Sequence, residues 1–144
     1  MASRTIRDIL EGQRLVTVQV SMSVNEAAAL MKKHLMGAIL VLEENQLVGI
    51  FTERDALVRV AAEGLDARDT PVANVMTRNP TTIAPDRPFS DALAIMHEGQ
   101  YRHVPVIENG LPIGMVSSRD AMGPELEQFM YAKILEEQTT DVLA

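Results

Sequence analysis

The stretch GIFTERD at residues 49–55 recurs as GMVSSRD at residues 114–120, 65 positions further along the chain. The likeness extends outward from it: residues 24–56 align without a gap to residues 89–121, and nine of these 33 pairs are identical. Several other pairs exchange similar residues, as Thr52 and Ser117 do. A repeat with a fixed period indicates two copies of one supersecondary unit that bury their apolar faces together.

In each copy the hydrophobic pattern predicts a strand, a helix, two further strands and a closing helix. Ser23 and Glu26 have the spacing of a capping box at the start of the first long helix. In the second copy the strand pair is joined through Asn109-Gly110, a dipeptide typical of tight hairpins. The predicted strands are residues 16–18, 38–42, 47–52, 81–83, 103–107 and 111–117, and the predicted closing helices are residues 53–64 and 118–122.

This order predicts an α/β (α+β) fold of two tandem β-α-β-β-α repeats with pseudo-twofold symmetry and a short C-terminal helix. We assign residues 1–70 to the first repeat with its linker, residues 71–123 to the second repeat, and residues 124–144 to a C-terminal helix and tail. One face of that helix is apolar, and its members are Leu126, Phe129, Met130 and Ile134. Such a face either folds back on the core or packs on another subunit. We favour self-association, because the repeat core looks complete without the helix.

Composition narrows the class of protein. A hydrophobic share of 47% supports a packed core, and the absence of cysteine excludes disulfides and thiolate chemistry and fits a reducing compartment. No apolar run is long enough for a signal peptide or a membrane span, so we expect a cytoplasmic protein without a membrane partner. A net charge of −7 and an aromatic content of 3% argue against nucleic acid as a partner. The three histidines do not have metal-ligand spacing, so we predict no metal site.

The ordered set of motifs resembles the cystathionine β-synthase (CBS) domain family over residues 5–122. The resemblance rests on the duplicated β-α-β-β-α order, on the terminal Gly-x-x-[Thr/Ser]-x-x-Asp of each copy, on YRHVPV at residues 101–106 and on NVMTRNP at residues 74–80. Two tandem copies form what the family calls a Bateman module. The resemblance implies that AMP, ADP, ATP or NAD(H) binds in two clefts between the repeats.

Site residues follow from the resemblance residue by residue. In the family, the aspartate of the terminal motif holds the ribose hydroxyls, and its Thr or Ser contacts phosphate. Arginines beside these residues add positive charge within reach of the phosphates. The implied residues are Thr52, Arg54 and Asp55 in one copy and Ser117, Arg119 and Asp120 in the other. Walls for the adenine are assigned to Thr17, Ala38, Thr82, His103, Val104 and Pro105. Because His103 aligns with Ala38, the two clefts are expected to differ.

The terminal motifs also have a purely structural explanation. Residues 52–55 and 117–120 each have a hydroxyl at an N-cap position and an acid three residues on, which is a capping box. Capping does not explain the arginine retained in both copies. We therefore expect a regulatory nucleotide-binding module, dimeric and acting on an effector protein in trans, and not an enzyme, since no nucleophile–base grouping is evident. The alternative is a dimeric scaffold with empty clefts, and nucleotide hydrolysis is the weakest of the three hypotheses.

Overall fold

The computed structural model describes residues 4–121, 129 and 131–137. Its elements follow the predicted order in the first half and, apart from the strand expected at residues 81–83, in the second half as well. The elements of the first half are α1 (Ile6–Leu10), β1 (Thr17–Gln19), α2 (Val24–His34), β2 (Ala38–Glu43), β3 (Gln46–Thr52) and α3 (Glu53–Asp55), which continues as a π-helical segment over Ala56–Ala61. Those of the second half are a 3-10 helix (Val72–Asn74), β4 (Thr77–Arg78), α4 (Phe89–Gly99), β5 (His103–Glu108), β6 (Leu111–Ser117) and a 3-10 helix (Ser118–Asp120). The predicted α/β fold of two tandem repeats is confirmed.

Each half of the chain contains one β-hairpin. β2 pairs with β3 and β5 pairs with β6, both antiparallel. The turn of each hairpin consists of two residues at positive φ. These are Glu44-Asn45 (50° and 65°) and Asn109-Gly110 (53° and 79°). The hairpin predicted from Asn109-Gly110 is therefore confirmed. β1, parallel to β2, and β4, antiparallel to β3, widen the first sheet to four strands in the order β1-β2-β3-β4.

The predictions were wrong in three places where local pattern does not decide the structure. The first closing helix ends at Ala61, and its last six residues are π-helical, with the N–H of Ala62 donating to the carbonyl of Leu57 at 2.9 Å. The second is a single 3-10 turn, after which Ala121 is already extended. Residues 81–83 form only one bridge, Ile83 to Val106, because the flanking Pro80 and Pro85 cannot donate to a ladder. At α2 half of the predicted capping box is present, the Ser23 hydroxyl accepting from the N–H of Glu26 at 3.1 Å.

Each repeat core contains the segment that opens the other copy. Ile6 of α1 is fully buried in the core of the second repeat, beside Phe89 and Val104, and its N–H donates to the carbonyl of Arg87 at 2.9 Å. Val72 is likewise fully buried in the core of the first repeat, and its N–H donates to the carbonyl of Met22 at 2.8 Å. This exchange ties the two halves into one unit.

The two sheets meet through a small apolar cluster. In β2, Ile39 and Val41 pack in the core of the first repeat, whereas Ala38 and Leu40 lie on the other face of the strand. That second face packs with Ile50 of β3 and with Met115 of β6. β2 is therefore buried on both faces, which explains its continuous apolar run and brings the end of β3 close to the second repeat.

The C-terminal residues that are described are helical, and Phe129 folds back onto the chain's own core. Its ring packs edge-on against His97, with centroids 5.7 Å apart, and it borders the core of the second repeat. Ile134, from the same predicted face, is 48% exposed, and Leu126 and Met130 lie outside the described residues. Within the described ranges, no helix is long and apolar enough to cross a membrane.

Candidate functional site

A cleft of about 690 Å³ lies between the two repeats. One wall is made by the end of β3, by α3 and by the π-helical segment, and the opposite wall by the loop between α4 and β5. β4 and the residues after it complete the lining. The cleft brings together Thr52, Arg54 and Asp55 of the first repeated stretch with His103 of the second copy.

Thr52 and Asp55 form the capping box that the sequence predicts. The N–H of Asp55 donates to the Thr52 hydroxyl at 3.1 Å, and the N–H of Thr52 donates to the Asp55 carboxylate at 3.0 Å. These bonds satisfy backbone groups at the start of α3 that have no partner within the helix. The structural role of the motif is therefore real, and the same two side chains line the cleft.

Among the described residues, Asp55 is the one charged residue that is buried, with 6% of its surface exposed. Its carboxylate lies 3.5 Å from the Arg59 Nε and 3.4 Å from the Thr77 hydroxyl. Arg59 also donates to the carbonyl of Met76 at 2.9 Å. A buried carboxylate needs such partners because its desolvation is costly. Sequence reasoning missed Arg59 and Thr77, although Arg59 stands four residues after Asp55, a spacing that places both on one helical face.

His103 and Glu53 approach one another across Gly37, at the boundary between the repeats. A Cβ built on Gly37 would lie 3.1 Å from Glu53 Oε1 and 3.4 Å from His103 Cε1. Burial lowers the pKa of His103 from its ordinary value; the Glu53 carboxylate opposes that shift, while Arg119 and Arg102 add to it. The imidazole is therefore neutral near pH 7, with one nitrogen able to donate and the other able to accept.

The second repeated stretch has the same cap with different surroundings. The N–H of Ser117 donates to the Asp120 carboxylate at 2.7 Å, and the N–H of Arg119 donates to the Ser117 hydroxyl at 3.3 Å. Arg59 and Thr77, the partners of Asp55, both lie outside residues 24–56, the stretch that the repeat aligns with residues 89–121. A side-chain oxygen of Gln13 accepts from the N–H of Met115 at 3.1 Å, next to this cap. The two sets of residues are thus chemically different, in line with the exchange of Ala38 for His103.

The remaining residues assigned to the adenine walls lie elsewhere. Thr82 borders a smaller cavity of about 300 Å³, and Thr17 is half-buried on β1. Ala38, Val104 and Pro105 are fully buried. Their assignment stays a prediction. Over the described ranges, no group of three or more His, Cys, Asp or Glu side chains is placed to hold a metal ion.

The sequence matches a known protein family. The CBS domain model matches residues 5–62 and 72–123, which is more than half of the chain. The chain belongs to the CBS domain family. The CBS domain-containing protein YhcV of Bacillus subtilis is 34% identical over 116 residues, which cover 81% of each chain. CBS domain proteins are generally regulatory.

Solved structures show the same fold. A CBS-domain containing protein from Agrobacterium tumefaciens matches with a TM-score of 0.75 and 34% identity, over 81% of this chain and 95% of that one. A CBS domain protein from Pyrobaculum aerophilum, solved in complex with AMP, matches with a TM-score of 0.77 over 89% and 99% of the two chains, and at 23% identity it shows the fold alone. Several longer curated relatives match this chain over only 14–21% of their own length.

Proposed function

We propose that this CBS pair is a regulatory module that binds an adenine nucleotide, AMP, ADP, ATP or NAD(H), in the cleft between its repeats. The observation that carries the proposal is the lining of that cleft, which combines threonine hydroxyls and the carboxylates of Glu53 and Asp55 with three guanidinium groups, those of Arg54, Arg59 and Arg102. In a chain of net charge −7, three arginines around one cleft are a local match for phosphate. The AMP complex of a protein with the same fold supports an adenosyl ligand.

Asp55 is suited to hold the ribose. Its cap bond to Thr52 is 3.0 Å long, whereas its contacts with Thr77 and Arg59 are 3.4–3.5 Å, at the limit for a hydrogen bond. A carboxylate offers about four lone-pair sites, so it can keep the cap and accept from the 2′- and 3′-hydroxyls as well. Thr52 and Arg54 stand beside it for the phosphate, and the 65-residue repeat assigns Ser117, Arg119 and Asp120 the same roles in a second cleft.

Regulation follows from where the cleft lies. Thr52 and Asp55 come from the first repeat, and Arg102 and His103 come from the second, so a bound nucleotide contacts both. If the two repeats can adopt two relative arrangements, the nucleotide shifts the equilibrium toward the one that it binds more tightly. The free energy of that shift is limited by the difference between its binding free energies for the two arrangements. A homodimer, an effector protein in trans and a cytoplasmic location remain predictions that accompany this function. Sedimentation of the purified protein tests the first of them.

The second candidate function is a scaffold with empty clefts. It is favoured by one observation, that both capping boxes are completed by hydrogen bonds within the chain itself. In that case the hydroxyls and the aspartates only stabilise helix starts.

Calorimetric titration with AMP distinguishes the two, after a check for nucleotide that co-purifies. The module should show saturable binding, which Asp55→Asn weakens about ten- to a hundredfold through the loss of one or two charge-assisted hydrogen bonds. Asp86→Asn is the matched control, because the Asp86 side chain is 82% exposed and pairs with Arg7. Equal affinity for 2′-deoxy-AMP would remove the ribose role from Asp55. Absence of binding by the wild-type protein to AMP, ATP and NAD would favour the scaffold.

A further inference from the structure

One aromatic side chain in the cleft is explained neither by the repeated motif nor by the cores. Tyr101 lies in the loop between α4 and β5, immediately before Arg102 and His103, and all three line the cleft. Its side chain is 39% exposed, whereas Phe51 and Phe89 are fully buried. Among the described residues, it is the one phenyl or phenol ring that the cleft contains.

The local backbone fixes where this ring lies. α4 ends with Gln100 in the left-handed conformation (φ 57°), and the N–H of Tyr101 donates to the carbonyl of Met96 at 3.1 Å. A Cβ built on Gly99 would lie 1.9 Å from Cε1 of Tyr101 and 2.5 Å from its Cζ. One edge of the ring therefore rests on the backbone of Gly99, and only glycine leaves room for it there.

The first copy has neither the ring nor the glycine. The 65-residue offset pairs Tyr101 with Met36 and Gly99 with His34. α2 nevertheless ends as α4 does, with Leu35 in the left-handed conformation (φ 55°) and the N–H of Met36 donating to the carbonyl of Met31 at 2.9 Å. The backbone turn does not require an aromatic residue at this position, so the ring at Tyr101 has another use.

We propose that Tyr101 is the surface on which the base of the bound nucleotide stacks, and that Gly99 is the positioning residue that holds the ring in place. The inference rests on the nucleotide-binding function proposed above. The hydroxyl, carboxylate and guanidinium groups of the cleft suit ribose and phosphate, and a flat base needs an apolar surface. An exposed aromatic ring provides that surface, because every nucleobase has a π-face. Stacking also makes the base, and not only the sugar phosphate, a determinant of specificity for this cleft.

The test compares AMP with ribose 5-phosphate, which lacks the base, on the full chain. Tyr101→Leu should weaken AMP about five- to a hundredfold, the range for loss of a base-stacking side chain, and leave ribose 5-phosphate unchanged. Tyr101→Phe should retain AMP affinity because it keeps the ring. Gly99→Ala should repeat the selective loss, since its methyl group displaces the ring without altering it. Equal losses for both ligands, or none for AMP, would overturn the inference.

A second measurement needs no variant of Tyr101. The chain has two tyrosines and no tryptophan, so Tyr131→Phe leaves Tyr101 as the one source of tyrosine emission. Saturating AMP should quench that emission, and ribose 5-phosphate should not. If AMP binds and the emission is undiminished, the stacking on Tyr101 is refuted, but nucleotide binding is not. If the wild-type protein does not bind AMP, the proposed nucleotide-binding function itself is refuted.

Discussion

The two aspartates of the repeated stretch should contribute unequally to stability, although they occupy equivalent positions. Asp55→Ala removes the acceptor for the N–H of Thr52, which costs about 1 kcal/mol as a lost cap. The Thr77 hydroxyl also loses an acceptor, 3.4 Å away, which adds about 0.5 kcal/mol. Arg59 loses its ion pair, worth about 0.5 kcal/mol because its side chain is 50% exposed. The sum is about 2 kcal/mol.

Asp120→Ala should cost about 1 kcal/mol, since Asp120 is half-buried and its carboxylate accepts from the N–H of Ser117. Urea denaturation of the two variants beside the wild-type protein measures both losses, provided that the m-values agree. Asp55→Asn separates the contributions to the larger loss, because an amide oxygen can still cap α3 and cannot pair with Arg59 as a charge. If Asp120→Ala costs as much as Asp55→Ala, then Arg59 and Thr77 do not stabilise the folded protein through Asp55.

Three further predictions test the fold and its charges. Gly49→Ala should destabilise the protein by about 1–3 kcal/mol, because its Cβ would lie 2.4 Å from Sδ of Met76; an unchanged melting temperature would contradict that packing. The pKa of His103 is lowered in the folded state, so the neutral imidazole contributes stability above about pH 6.5. That stability is lost as the pH falls through the folded-state pKa. The free energy of unfolding then falls by at most about 1.4 kcal/mol per pH unit. His103→Ala should lose less stability than the wild-type protein between pH 7.5 and pH 5, and equal losses would remove His103 as the cause. Ile6→Ala should cost about 2–5 kcal/mol of stability and accelerate amide hydrogen exchange first in β5 and β6. Val72→Ala should accelerate amide hydrogen exchange first in β2 and β3. The reverse pattern would contradict the exchange of opening segments between the repeats.

Local patterns were sufficient to predict the elements that local chemistry controls. The Asn109-Gly110 turn and the cap at Thr52 both form as predicted, because the conformations they need are set by neighbouring residues. The two strands of each hairpin begin and end within one residue of their predicted bounds. The duplication itself was the strongest signal, since two copies of one pattern have to share one architecture.

Features that depend on distant partners could not be predicted in this way. Ile6 and Val72 are ordinary apolar residues in sequence, and only the folded chain shows that each completes the core of the other repeat. The partners of Asp55 are similar, because Thr77 reaches it from β4, 22 residues away. The position of Tyr101 in the cleft depends on Gly99, because the ring occupies the space that a Cβ at residue 99 would fill, and the sequence does not show that contact.

The most direct test of the nucleotide-binding function is a crystal structure of the full chain grown with AMP at a concentration that saturates the calorimetric binding. We expect density for the nucleotide in the cleft of about 690 Å³, with its ribose hydroxyls within hydrogen-bond distance of the Asp55 carboxylate. An empty cleft, or AMP bound away from Thr52 and Asp55, would contradict it.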